Sequence, residues 1–102
     1  MINRSDLSIL VYELIAKIPR GKVTTYKILS EACGVKAYRL VGTIVGKNPN
    51  VLKVPCHRVV KNNGEVGEYV GGKAQKIAIL ESELVNVNGN KIVNFDKKLF
   101  KF

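Results

Sequence analysis

Two stretches of helical apolar spacing separated by one glycine constrain this chain more than any other feature. From Tyr26 to Cys33, the side chains of Ile28, Leu29, Ala32 and Cys33 close one apolar face. Thr25 is placed to cap the start, and Gly34 occupies the usual stop position. From about Ala37 to Lys47, a second face collects Ala37, Leu40, Val41, Ile44 and Val45. Two helices joined by a short Gly-containing turn match a helix-turn-helix pair. The other edge of the second helix carries Arg39, Gly42, Thr43 and Gly46. Each glycine costs that helix roughly 1 kcal/mol relative to alanine, so something must offset them. A helix edge without side chains can enter a narrow groove or pack tightly on a neighbouring helix, and the residues leave both open.

The flanking segments predict smaller elements. Leu7, Leu10, Val11, Leu14, Ile15 and Ile18 recur at helical spacing, with Ser5 or Asp6 available as a cap and Pro19-Arg20-Gly21 as the end. Val23 to Thr25 reads as a short extended piece. After Asn48-Pro49-Asn50, the run Val51 to Val60 is mostly apolar with Pro55 interrupting it, and Asn63-Gly64 reads as a hairpin turn. Gly67 and Gly71-Gly72 make the next stretch a loop. Lys73 to Leu84 reads as a helix through Ala74, Ile77, Leu80 and Leu84, and Val85 to Phe95 as a second hairpin around Asn88-Gly89. The expected fold is mainly α with short β-hairpins, a winged helix-turn-helix in a single domain over residues 1–102.

Charge narrows the partner. Seventeen basic against eight acidic residues leave +9 on a chain of 102 residues, which suggests a polyanion, nucleic acid ahead of an anionic membrane. At 46% hydrophobic residues the chain can bury a modest core, which excludes disorder as the default. No apolar run reaches the length of a membrane span, and the N-terminus lacks a charged-then-apolar signal pattern. Two cysteines, Cys33 and Cys56, are too few for a disulfide scaffold and point to a reducing intracellular setting. With the lone His57 they cannot supply four zinc ligands, so no metal and no cofactor is expected.

The chemistry concentrates in Val54-Pro55-Cys56-His57-Arg58-Val59-Val60. A cysteine beside a histidine and an arginine sits in a positive setting that favours the nucleophilic thiolate, and an imidazole can help generate it. Neighbours on an extended chain point to opposite sides, so a water would have to bridge Cys56 and His57. On these residues alone a structural cysteine is the commoner reading.

Pro55-Cys56-His57-Arg58-Val59 resembles the active-site signature of the O6-alkylguanine-DNA alkyltransferases, the methylated-DNA–protein-cysteine methyltransferases. The resemblance extends to Ile18-Pro19-Arg20-Gly21-Lys22-Val23-Thr24-Thr25-Tyr26, to Arg39-Leu40-Val41-Gly42 through Gly46-Lys47-Asn48-Pro49, to Gly64 through Gly72, and to Lys76 through Glu83. Correct order and near-correct spacing run from about Leu7 to Glu83. The resemblance implies that Cys56 accepts the alkyl group, that His57 takes the thiol proton through a water, and that Glu83 orients and charge-stabilises the histidine. Asn48 would bridge the recognition helix and the active-site segment, while also suiting the turn before Pro49. Tyr26 would lie near the 3′ phosphate and donate to the guanine, and Arg39 would fill the hole left by the flipped base. Thr25, Tyr38, Gly42, Thr43, Gly46 and Lys47 would complete the DNA-binding face. Val59, Tyr69, Val70 and Gly71 would form the lesion pocket, and Arg58 would hold local structure.

The implied partner is double-stranded DNA containing O6-alkylguanine, bound through its minor groove by a monomer in the cytoplasm, or in the nucleus of a eukaryote. The chain departs from the family in three places. The N-terminal domain common in the family is expected to be absent, Val70 stands where some relatives have serine, and Leu84 replaces the glycine usual after the closing glutamate. Two other readings compete: an alkyltransferase-like protein that binds lesions without repairing them, and a winged-helix regulator with a structural cysteine. The first normally lacks the reactive cysteine, and the second leaves Asn48, Glu83 and the active-site loop unexplained. No oxyanion or substrate-pocket signature supports a cysteine hydrolase.

Overall fold

In the computed structural model, which describes residues 3–51 and 53–102, helix α1 (Arg4–Ile15) is capped by Asn3. Met1, Ile2 and, within the Val51–Val60 run, Leu52 lie outside the described residues. The Asn3 side chain accepts from the Asp6 amide at 2.9 Å, so the cap lies ahead of the expected Ser5 or Asp6. The helix also stops before Ile18. Ile18 stays in the core, but on a turn in which its amide bonds the Ile15 carbonyl at 3.0 Å. Pro19 explains the early stop, because a residue preceding proline is pushed out of the α region.

Strand β1 (Thr24–Thr25) leads directly into α2 (Tyr26–Ala32), followed by α3 (Tyr38–Gly46). The Thr25 hydroxyl caps α2 by accepting from the Ile28 amide at 3.1 Å. Gly34 ends it in a left-handed conformation, φ 75°. The Val35 amide reaches back to Ser30 at 3.1 Å and the Gly34 amide to Glu31 at 3.0 Å, the paired bonds of a Schellman stop. Leu7, Val11, Ile15, Leu29, Val41 and Ile44 fill the space between the three helices. Each contributes about 1.5–3 kcal/mol of burial before conformational entropy is counted. Tyr12 ties α1 to α3 by donating to the Ile44 carbonyl at 2.8 Å. Ala37 was expected on the buried face of α3, but it is exposed at the helix entry and adds nothing to that core.

The strands correct the expectation of two hairpins. After one 3-10 turn, Cys56–Arg58, strand β2 (Val59–Val60) runs parallel to β1, with Thr24 opposite Val59 and Thr25 opposite Val60. Only β3 (Val87–Asn88) and β4 (Lys91–Ile92) pair antiparallel, around the expected Asn88-Gly89 turn. The turn at Asn63-Gly64 forms, with the Lys61 amide bonding the Glu65 carbonyl at 2.9 Å. Its return arm bridges to Lys91 rather than continuing a sheet with β2.

Helix α4 (Lys73–Ser82) buries Lys76 and Leu80, whereas Ala74 and Leu84, expected on its apolar face, are exposed. The helix ends in a second Schellman stop, Val85 amide to Leu80 carbonyl at 2.9 Å and Leu84 amide to Glu81 carbonyl at 3.1 Å. That stop places Leu84 in the left-handed region, φ 67°, where a non-glycine residue costs about 1–2 kcal/mol. Val85 and Leu80 offset this in a second core with Val23, Val60, Val66 and Ile92. The ending fixes Glu83 as the C-cap of α4. A short helix α5 (Phe95–Lys98), not expected, precedes the tail.

Candidate active site

Cys56 lies buried at the start of the 3-10 turn, where its amide bonds the Val54 carbonyl at 2.8 Å. Asn48 steadies that segment from α3's side. Its amide nitrogen donates to the Val54 carbonyl at 2.7 Å, and its side-chain oxygen accepts from the Asn50 amide at 2.9 Å. One side chain thus links the end of α3 to the segment before Cys56 and closes the turn at Asn50. The segment was expected to be extended with Cys56 and His57 on opposite sides. The turn replaces that geometry, and both residues are buried.

His57 Nε2 lies 3.0 Å from Glu83 Oε1. Arg58 grips the same carboxylate with two bonds, Nε to Oε1 at 2.9 Å and Nη2 to Oε2 at 2.7 Å, and donates through Nη1 to the Ile18 carbonyl at 2.8 Å. Burial alone would raise the Glu83 carboxyl, but the hydrogen bonds from Arg58 and His57 outweigh it and hold the group below its ordinary range. Burial lowers the His57 imidazole, opposed by Glu83 and assisted by the charges of Arg58 and Lys76. The pair at neutral pH is thus an ionised Glu83 and a neutral His57. A carboxylate only accepts, so Nε2 carries the proton and Nδ1 keeps its lone pair as the ring's base. Arg58, expected to hold local structure, shares the carboxylate that faces the histidine.

A cavity of 210 Å3 opens onto Cys56 and is lined by Tyr26, Gly42, Val45, Gly46, Asn48, Glu68, Tyr69 and Val70. Tyr26 is pushed up to about 12, first by burial and then by the negative charges of Cys56 and Glu68. Its hydroxyl therefore remains a proton donor across the physiological range. Of the residues expected to form a lesion pocket, Tyr69 and Val70 line this cavity. Val59 and Gly71 do not: Val59 is fully buried in the core, and Gly71 is exposed outside the lining. Val45 and Glu68 take part without having been expected. Glu68 gives no periodic signal in a loop, and Val45 reads as core.

A second, shallower groove adjoins the cavity, sharing Tyr26, Gly42 and Glu68 and adding Tyr38, Arg39 and Lys61. Arg39, Thr43, Gly46 and Lys47 are exposed on α3, and Tyr38 is 40% exposed. A side chain built on Gly42 or Gly46 would meet nothing within 4 Å. That decides one question the residues left open: the bare helix edge is not packed on a neighbouring helix. Thr25, expected to face DNA, is instead buried with its hydroxyl committed to the α2 cap.

Lys76 is the residue that sequence reasoning missed. It is fully buried, donating to the Val59 carbonyl at 2.7 Å and the Glu68 carbonyl at 3.1 Å. It thereby straps the loop bearing Tyr69 to the strand that follows Cys56. Burial lowers it to about 8, against the pull of the Cys56 and Glu68 charges. The available signal was its position one helical turn before Leu80 on the stripe that α4 buries.

The model of the 6-O-methylguanine DNA methyltransferase DNA-binding domain matches residues 6–85. The methylated-DNA–protein-cysteine methyltransferase of Saccharolobus solfataricus is 44% identical over 77 residues, 76% of this chain and 50% of that protein. The chain spans about half the length of most of the curated relatives it matches. Among solved structures, Mycobacterium tuberculosis OGT in complex with DNA superposes with a TM-score of 0.75 at 36% identity, over 78% of this chain and 49% of that one. S. pombe Atl1, in complex with damaged DNA containing O6-carboxymethylguanine, superposes with a TM-score of 0.88 at 25% identity, over 99% of this chain and 100% of that one.

Proposed function

The chain belongs to the 6-O-methylguanine DNA methyltransferase family, and from that premise we propose that it repairs O6-alkylguanine in duplex DNA by moving the alkyl group onto Cys56. One observation carries the reading: a buried cysteine faces a cavity that also holds a protonated tyrosine, beside a neutral histidine locked to a carboxylate. A target base inside the stack must be flipped out to reach the sulfur, at a cost of about a few kcal/mol. Arg39 and Tyr38, exposed on α3 beside the cavity, fill the gap. The bare edge at Gly42 and Gly46 lets the helix enter a minor groove only about 6 Å wide.

From behind Cys56, His57 Nδ1 takes the thiol proton through a water, and Glu83 stabilises the resulting imidazolium. The sulfur then attacks the alkyl carbon in line. An S–C bond forms as the C–O6 bond breaks, and its electron pair passes to the guanine while Tyr26 supplies a proton to N3. The thioether is not reversed, so each molecule acts once. The protein acts as a monomer and needs no cofactor, in the cytoplasm or in the nucleus of a eukaryote. Among the described residues no helix is long and apolar enough to cross a membrane.

Mixing the protein with duplex DNA containing O6-methylguanine tests the proposal by intact mass. One methyl group on Cys56 is expected, with Cys33 unmodified in the core. The Cys56→Ala variant is expected to transfer nothing yet retain lesion binding, because the groove contacts lie on α3. A methylated Cys33, or continued demethylation by the variant, sinks the assignment. The likeness to Atl1 over the whole chain favours lesion binding without repair as the second reading. An unmodified wild-type mass with lesion-selective binding would establish it.

A further inference from the structure

The residues after Val85 lie outside the stretch that matches the family model, and none of the chemistry above uses them. They are nonetheless built into the fold. The Val66 amide bonds the Asn90 carbonyl at 2.8 Å and the Ile92 amide the Gly64 carbonyl at 2.9 Å. The tail then lies along β1 on the side away from β2. The Val23 amide bonds the Lys98 carbonyl at 2.9 Å, the Phe100 amide bonds the Val23 carbonyl at 2.7 Å, and the Thr24 hydroxyl donates to the Phe100 carbonyl at 2.9 Å. Phe100 packs on the core and meets Phe102 edge to face, with ring centroids 5.2 Å apart. Exposed Lys101 between them therefore sits on anchored backbone, so less conformational entropy remains to be lost when it engages a ligand.

Lys101 shares a concavity with Lys27 and Asn62. The Asn62 side chain accepts from the Lys27 amide at 3.3 Å, and its neighbour Lys61 lines the groove that holds Arg39. Lys27 at the start of α2, Lys61 after β2 and Lys101 in the tail thus lie in or beside two grooves, one of which Arg39 of α3 also lines. Glu31 is the acidic residue in the concavity, yet the ion pairs among the described residues all fall on Glu83. Glu68 shares the groove of Lys61, but among the described residues none of the three lysines has a carboxylate oxygen within 4.0 Å.

We propose that Lys27, Lys61 and Lys101 form a second phosphate-binding strip, through which the C-terminal strand lengthens the grip on the same duplex beyond α3. The inference rests on the DNA-repair reading and specifies how much of the duplex is held. Each phosphate neutralised releases condensed counterions, so each lysine should contribute about 0.9 to the slope of log affinity against log salt.

Fluorescence anisotropy on an undamaged duplex of about two turns, from about 50 to 200 mM salt, tests it. Lys101→Gln is expected to make the slope shallower by about one unit and to weaken binding several-fold at the lower salt. Lys27→Gln with Lys101→Gln should lower it by about two. Lys91→Gln, on the β3–β4 hairpin and lining neither groove, is the control and should leave the slope unchanged. The strip is overturned if Lys101→Gln keeps the wild-type slope, or if Lys91→Gln lowers it equally. The failures separate cleanly. A wild-type protein that shows the slope effect but accepts no methyl group retains the strip and loses the repair reading. Methyl transfer with an unchanged slope does the reverse.

Discussion

Arg58 and His57 compete for one carboxylate, and that competition sets the pH range in which the histidine can act. Arg58 takes both oxygens of Glu83 while His57 shares one, and the guanidinium charge also works against protonating the imidazole. A base must be unprotonated, so activity should hold above the lowered pKa of His57 and fall below it. Arg58→Gln removes the charge and leaves Glu83 to His57 alone, which favours the imidazolium. The acid limb of the single-turnover rate is expected to move to higher pH. Transfer should drop several-fold near pH 6 and approach the wild-type rate near pH 9, because a histidine ordinarily titrates at about 6.5 and that of His57 is lowered from there in the wild type. A uniform loss at every pH would mean that Arg58 only supports the fold. Lysine should not rescue the profile, since it lacks the two-pronged geometry that fits both oxygens. Family resemblance pointed to Cys56, His57 and Glu83 as the proposed reacting trio, but not to this sharing, because an Arg58–Glu83 contact across 25 positions leaves no local pattern.

At the scale of elements, α3 carries a conflict between stability and use. Gly42 sits inside the helix with open space where a side chain would be. Gly42→Ala should therefore stabilise the protein by up to about 1 kcal/mol, raising Tm by a few degrees. The same methyl group enters the space proposed for the groove wall, so duplex affinity should fall by about tenfold, equivalent to about 1.4 kcal/mol. Melting curves and binding isotherms on one preparation test the opposed signs, and a stabilised variant with undiminished affinity would place DNA elsewhere. Helices α1 to α4 were legible, because apolar spacing, the Thr25 cap and the Gly34 stop are local signals, whereas the single turn of α5 was not. The β1–β2 pairing was not legible, since two-residue strands have no usable period and their register depends on residues 35 positions apart. The burial of Lys76 was hidden for a different reason: lysine on a helix ordinarily reads as solvent face, and only the tertiary fold shows the carbonyls waiting for it.

For the molecule as a whole, Lys76 links stability to pH with a definite sign. Its folded value is about 8 against 10.5 unfolded, so between those values the unfolded chain binds more protons. Stability should then rise with pH across that window, by an amount on the order of 3 kcal/mol if nothing else titrated. Tyr26 acts oppositely: its folded value of about 12 exceeds 10.0, so its contribution is present below 10.0 and lost above. Unfolding free energy from denaturant titration should climb from about pH 8 to about pH 10 in the wild type and stay flat in Lys76→Met. A matching climb in the variant would assign the effect to other groups. The tail's place beside β1 has a kinetic consequence of its own. Val23 pairs with Leu99, so the middle strand gains its second neighbour only by closing a loop of most of the chain. Long-range closure of this kind slows folding. On a ribosome the N-terminal helices can pack early, but that strand must stay half-bare until Phe100 has emerged, leaving an unpaired edge for other chains to find.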